Sequence, residues 1–171
     1  LLDGNTGTAK TAILGRLKAL GHQVIDLEGL ANHRGSLFGA LGPQPAQTAF
    51  ETRLALALAT LDPTRPVVIE AESAKIGELR LPPRLWQAMA QAPRLTIEAP
   101  LAARAAYLAS AYADITEAPA RLARTLDALR PWHARETLAL WHEMAATGAF
   151  APLAEALMRD HYDPRYQKHR E

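Results

Sequence analysis

An α/β fold, a P-loop-type parallel sheet with flanking helices followed by a helical C-terminal part, is predicted by three features of the sequence. Short apolar runs alternate with helix-spaced segments up to residue 99, a glycine-rich turn separates the first such run from the first helix, and no strand pattern recurs beyond Pro100. Parallel strands need crossover helices and bury both faces, so alternation of this kind implies a parallel sheet covered on both sides.

The elements follow in order. Leu1-Leu2-Asp3 reads as the end of a first strand, and Ala9 to Leu20 as a helix closed by Gly21. Residues 22–27 read as a short buried strand, and 28–45 as a long loop rich in Gly, Asn and Pro. Ala46 to Leu61 returns to helical spacing, with Phe50, Leu54, Ala57, Leu58 and Leu61 on one face, until Pro63 and Pro66 stop it. Residues 66–70 form a second clear strand, Pro82-Pro83 begin a helix that ends near Pro93, and 94–98 form another strand. Helices are expected over 101–112, 117–129, 132–147 and 150–160; Trp132, Trp141 and Met144 fall at core spacing, and His133 and His142 share one helix. The expected organisation is one domain over 1–171, with an α/β core at 1–99 and a helical lid and C-terminal helices at 100–171.

Alanine and leucine supply 35 and 26 of the 171 residues, which favours helix. The absence of cysteine removes thiolate zinc sites, disulfides and thiol nucleophiles. No apolar stretch reaches 18 residues and no basic leader precedes one, so a cytoplasmic protein without a membrane partner is expected. With 19 basic and 18 acidic side chains, a nucleic-acid partner must be held by a local patch.

The strongest local signal is Gly4-Asn5-Thr6-Gly7-Thr8-Ala9-Lys10-Thr11, with G-x-x-x-x-[G/A]-K-T spacing between a strand and a helix. Small residues let backbone amides curl around phosphate oxygens, the helix N-terminus adds partial positive charge, Lys10 reaches the outer phosphates and the Thr11 hydroxyl can hold Mg²⁺. Ala9 replaces the usual second glycine, and its methyl group limits positive φ. Glu70 and Glu72, which with Lys10 are the catalytic candidates, end the apolar Val67–Ile69 strand and face one side. Ser73 and Lys75 follow, and Lys75 can pair with either glutamate or a phosphate. Arg104 lies where related enzymes carry arginines that close on a phosphate. The tail from His161 to Arg170 mixes aromatics with cations, a composition suited to an RNA strand or simply to a solvated terminal helix.

Four runs together resemble the C-terminal P-loop domain of bacterial tRNA 2-selenouridine synthase: Asp26 to Ser36, Gln44 to Gln47 with Phe50-Glu51, Glu70 to Ser73 with Ile76-Gly77 and Leu81-Pro82, and Tyr162 to Tyr166. The resemblance covers nearly the whole chain. It implies a tRNA partner, an upstream rhodanese-like domain that is expected to be absent from this cysteine-free chain, and replacement of sulfur by selenium at the 2-position of a wobble uridine. It further implies selenophosphate and geranyl diphosphate as substrates, the latter alkylating the 2-thiouridine sulfur while its diphosphate sits in the turn at Gly4–Thr11. Asn32, His33, Arg34, Gly35, Ser36, Gln44, Gln47, Ser73, Lys75, Arg104, Tyr162 and Tyr166 are the candidates for holding tRNA or donor. Where the family pattern has an arginine after the Glu-Ser pair, this chain has Ala74. An isolated fragment is expected to be incomplete for selenation. Read from the residues alone, an ATP-dependent small-molecule kinase and a nucleotide-gated RNA-binding module remain alternatives, and ATP or GTP binding stays open.

Overall fold

The computed structural model describes residues 1–170, with side chains through Tyr166. It contains two compact units, one made of Leu1–Gly4 and Lys10–Ile97, the other of Asn5–Ala9 and the chain from Glu98 onward.

The first unit is the mixed α/β part. Its elements are β1 (Leu2–Gly4), α1 (Lys10–Ala19), β2 (Gln23–Ile25), α2 (Leu27–Ala31), α3 (Gln47–Ala59), β3 (Val67–Ile69), β4 (Lys75–Ile76), β5 (Leu79–Arg80), α4 (Pro83–Gln91) and β6 (Leu95–Ile97). β1 pairs in parallel with β6, with Leu2 opposite Leu95, and β2 in parallel with β3, with Gln23 opposite Val67. A parallel bridge between Leu2 and Glu70 places β1 beside the end of β3, so the strands run in the order β2-β3-β1-β6. Among the described residues β6 pairs with β1 alone, and Leu95 is 66% exposed, so coverage of both faces stops short of this edge. Arg94 ties the same edge to buried Asp3 through a 3.0 Å ion pair.

The helix α3 meets the expected face only in part. Phe50 and Leu54 are fully buried beside Ile25, Leu27, Ile76, Leu79 and Met89, with Ala57 and Leu61 packed at the edge, whereas Leu58 points outward. The segment 28–45, expected to be all loop, contains the end of α2, which Asp26 caps by accepting from the Gly29 amide at 2.8 Å. The antiparallel hairpin β4-β5 also lies where only a loop was expected.

The second unit is helical: α5 (Leu101–Ala111), α6 (Ala113–Thr116), α7 (Pro119–Asp127), α8 (Arg135–Ala146), α9 (Phe150–Leu157), a π-helical turn at Met158–Tyr162, and α10 (Asp163–Arg170). α5 packs on α9, and α7 on α8, around Leu122, Leu126, Leu138, Trp141, Leu153 and Met158. Two expectations are corrected. Trp132 is 57% exposed rather than in the core, because α8 starts only at Arg135 and leaves Trp132 in the preceding turn. For the same reason His133 does not share a helix with His142; its Nε2 lies 2.8 Å from Nδ1 of buried His161.

Candidate functional site

The glycine-rich turn starts where β1 ends. Gly4 and Gly7 adopt φ of 155° and 85°, conformations that a side chain disfavours. Ala9 adopts φ 61° despite its methyl group, at a cost of about 1 kcal/mol that a glycine would avoid. Lys10 opens α1 and folds back, its Nζ donating to the Gly4 carbonyl at 2.8 Å and lying 3.9 Å from Glu70 Oε1. Both side chains are nearly buried, with 9% and 3% exposure.

Beside Lys10 stand three carboxylates. Glu28 comes from the first turn of α2, Glu70 from the end of β3, and Glu72 from two residues further on; one oxygen of each lies within 4.8 Å of the others. The Thr11 hydroxyl donates to Glu28 Oε2 at 3.2 Å. Such crowding is costly while all three are charged, and their proton affinities show it. Burial pushes Glu28 up to about 8, with the charge of Glu72 adding to the push and Lys10 opposing it. Burial, then Glu28, likewise raises Glu70 to about 8, again against Lys10. Glu72 rises to about 7, from burial and then Glu70, with Lys10 and a hydrogen bond from Glu28 holding it lower. Near neutral pH the three share protons, and the free site is close to electrically balanced.

A divalent cation fits this donor set. Three carboxylates and a hydroxyl are hard oxygen ligands of the kind Mg²⁺ and Ca²⁺ take, and Glu70 Oε2 is buried with no hydrogen-bond partner. Gly35 closes one side of the cluster. A Cβ there would sit 2.8 Å from Glu28 Oε1 and 2.9 Å from both Glu72 oxygens, at φ +67°. Gly35→Ala is therefore expected to destabilise the chain by about 2 kcal/mol or more, read as a lower unfolding midpoint in urea.

The other residues singled out in the sequence fall in three places. Asn32 ends α2 in a left-handed conformation, with its Nδ2 donating to Pro43 O at 3.0 Å. His33 Nδ1 accepts from the Gly35 amide at 3.1 Å, and the Arg34 amide donates to Gly39 O at 2.8 Å, so this stretch with Ser36 forms a tight turn around Gly35. Gln44 and Gln47 brace the hairpin: Gln44 donates to Ile76 O at 3.0 Å and accepts from the Glu78 amide at 2.7 Å, while Gln47 brackets Arg80 at 2.8 and 2.9 Å. Ser73 donates to the Lys75 carbonyl, and Lys75 pairs with Glu78 at 3.2 Å rather than with Glu70 or Glu72. In the helical unit, Arg104 is buried and bonded to Asp163, and Tyr162 stands edge-on to His161 with ring centroids 5.0 Å apart. Tyr166 lies partly buried in α10, and of the tail expected to meet RNA, Gln167 to Arg170 lie outside the described side chains.

Sequence reasoning did not single out Glu28. The available signal was its place just beyond β2, because ligands of parallel sheets gather at the carboxyl ends of the strands.

A family model for the tRNA 2-selenouridine synthase AAA domain matches residues 1–134. The chain belongs to this family. Among curated members, a tRNA 2-selenouridine synthase of Marinobacter nauticus is 41% identical over 117 residues, covering 67% of this chain and 31% of the relative. One of Hahella chejuensis is 44% identical over 108 residues, covering 61% and 27%. One of Verminephrobacter eiseniae is 35% identical over 195 aligned positions, covering 97% and 52%. The chain thus spans about half or less of the length of these family members. No solved structure matches the chain. Among the described residues, no helix is long and apolar enough to cross a membrane. The family match takes in the turn at Gly4–Thr11, the run around Glu28 and Gly35, and Glu70 and Glu72.

Proposed function

We propose that this chain is the diphosphate-handling domain of a transferase that converts the wobble 2-thiouridine of a tRNA into 2-selenouridine through a geranylated intermediate. What chiefly supports this reading is the pairing of one nearly buried lysine with a cluster of three carboxylates able to hold a cation, inside the segment that carries the family match. A lysine and a cation together neutralise a diphosphate whether or not a nucleoside is attached to it.

In the first step the thiouridine sulfur attacks C1 of geranyl diphosphate. The C–S bond forms as the C1–O bond breaks, diphosphate leaves with the electron pair, and the N3 proton of the thiouridine is released to solvent. Negative charge grows on the departing oxygens, so Lys10 Nζ and the amides of the turn from Gly4 to Thr11 stabilise the transition state more than the ground state. Thr11, Glu28, Glu70 and Glu72 would hold Mg²⁺, which supplies further charge neutralisation on the diphosphate. In the second step, selenium from selenophosphate bonds to C2 of the uridine, the geranylated sulfur leaves as geranylthiol, and water takes up the phosphoryl group as inorganic phosphate. Asn32, His33, Arg34 and Ser36 in the turn around Gly35, together with Tyr162 and Tyr166, are the candidates for the tRNA. The upstream rhodanese-like domain is the partner needed for selenation.

The test uses the full-length parent enzyme with thiolated tRNA. Geranyl diphosphate alone is expected to give S-geranylated tRNA, and adding selenophosphate the selenouridine, both read by mass spectrometry of the nucleosides. Unchanged 2-thiouridine would overturn the proposal.

A further inference from the structure

Arg104 occupies the place where a mobile, phosphate-closing arginine is expected, yet it is one of the most enclosed cations of the helical unit. Its guanidinium grips the Asp163 carboxylate with both arms, at 3.0 Å to Oδ1 and 2.7 Å to Oδ2. The same NH1 donates to the Thr6 carbonyl at 3.0 Å and reaches Met158 Sδ at 3.6 Å. Asp163 Oδ1 also accepts from Asn5 Nδ2 at 3.1 Å. One fork-to-fork ion pair is thus bonded to two successive residues of the glycine-rich turn, to a side chain at Asn5 and to the main chain at Thr6.

The next residue is held by shape. A Cβ on Gly7 would lie 2.9 Å from both Arg104 Cβ and Arg104 O, so the turn rests directly on α5 at this point. The π-helical turn at Met158–Tyr162 explains how Asp163 comes to face this network. One extra residue in a helical turn rotates everything after it by about 100°, and Asp163 is the first residue after that turn. Local departures of this kind are stored where a side chain must be aimed.

We propose that Asp163 and Arg104 are positioning residues that fix the backbone of Asn5–Gly7 in its phosphate-receiving shape. Asp163, from the Tyr162–Tyr166 run, thereby acts on a segment far away in sequence. This rests on the reading of the turn as a phosphate site. Arg104 then meets the ligand only through the turn, and its charge serves Asp163 rather than a phosphate.

The experiment compares this chain with its Asp163→Asn and Arg104→Lys variants, which keep the size and part of the bonding so that folding survives. Binding of inorganic diphosphate and of geranyl diphosphate is measured by calorimetry, and amide hydrogen exchange of the peptide spanning the turn by mass spectrometry without ligand. Roughly tenfold weaker binding is expected for each variant, with faster exchange in the turn and unchanged exchange in α7 and α8. Asp163→Glu is expected to recover part of the affinity, which a merely structural loss would not. Affinity and turn exchange equal to the unsubstituted chain would overturn the proposal, and so would acceleration spread evenly over the helical unit. If the unsubstituted chain binds no diphosphate, the proposed function fails, and the exchange measurement alone still decides whether the network shapes the turn.

Discussion

Glu28→Gln is expected to make the cation-free chain more stable than the unsubstituted one at alkaline pH, and to abolish tight Mg²⁺ binding. The sign follows from the raised proton affinities. A carboxyl with an ordinary value of 4.5 that is pushed to about 8 on folding binds more protons folded than unfolded. Its stability contribution is therefore intact below 4.5, falls as pH rises through the interval, and is fully lost above about 8. Glu28, Glu70 and Glu72 all act in this direction, so the cluster costs on the order of 3 kcal/mol or more at high pH. Buried His161, held down to about 4, has the opposite slope below 6.5, because its unfolded form takes the extra proton. The informative quantity is thus the difference between variant and unsubstituted chain in urea unfolding midpoints, taken from about pH 5 to about pH 9. That difference should grow with pH and vanish or reverse when Mg²⁺ is present. Bound cation stabilises the intact triad by about 2.7 kcal/mol at a hundredfold excess over its dissociation constant, and does so far less for the variant. A difference that is flat in pH and indifferent to Mg²⁺ would show that the three carboxylates do not act as one site.

Lys10→Ala has the second large expected effect. Lys10 lowers the proton affinity of all three glutamates, so its removal should move the pH-dependent loss of stability still higher. It also deletes the nearly buried cation of the turn, and the affinity for diphosphate should fall about a hundredfold or more. Lys10→Arg keeps the charge but places a wider, planar head where a single amine now bonds Gly4 O, and should recover little. Calorimetry with inorganic diphosphate checks the affinity, and the unfolding series checks the pH shift. A Lys10→Ala chain that binds diphosphate like the unsubstituted one would remove the lysine from the site.

Much of this architecture was legible because it is periodic. The strand ends at Asp3 and Glu70, the helix face at Phe50 and Leu54, and the turn spacing before Lys10 all follow from patterns of two, of three to four, or of fixed offsets. What escaped is short or non-local. The five-residue α2 carries Gly29 inside it and leans on the Asp26 cap, so no periodicity announces it. The two-residue strands β4 and β5 are held by the amides of Gln44 and Gln47 arriving from another segment. The π-turn has no sequence signature, and without it the aim of Asp163 at Asn5 and Arg104 could not be read. Glu28 was passed over because it joins Glu70 and Glu72 only when the ends of β2 and β3 are brought together.

Whether the turn takes a prenyl diphosphate is decided by calorimetric titration of this chain with geranyl diphosphate and, separately, with Mg-ATP. Both ligands offer phosphates to Lys10, so their relative affinity is decisive. The expected result is tighter binding of geranyl diphosphate, lost in Lys10→Ala. Binding of Mg-ATP with none of the prenyl donor would make the turn a nucleotide site and leave the diphosphate-handling proposal without its ligand.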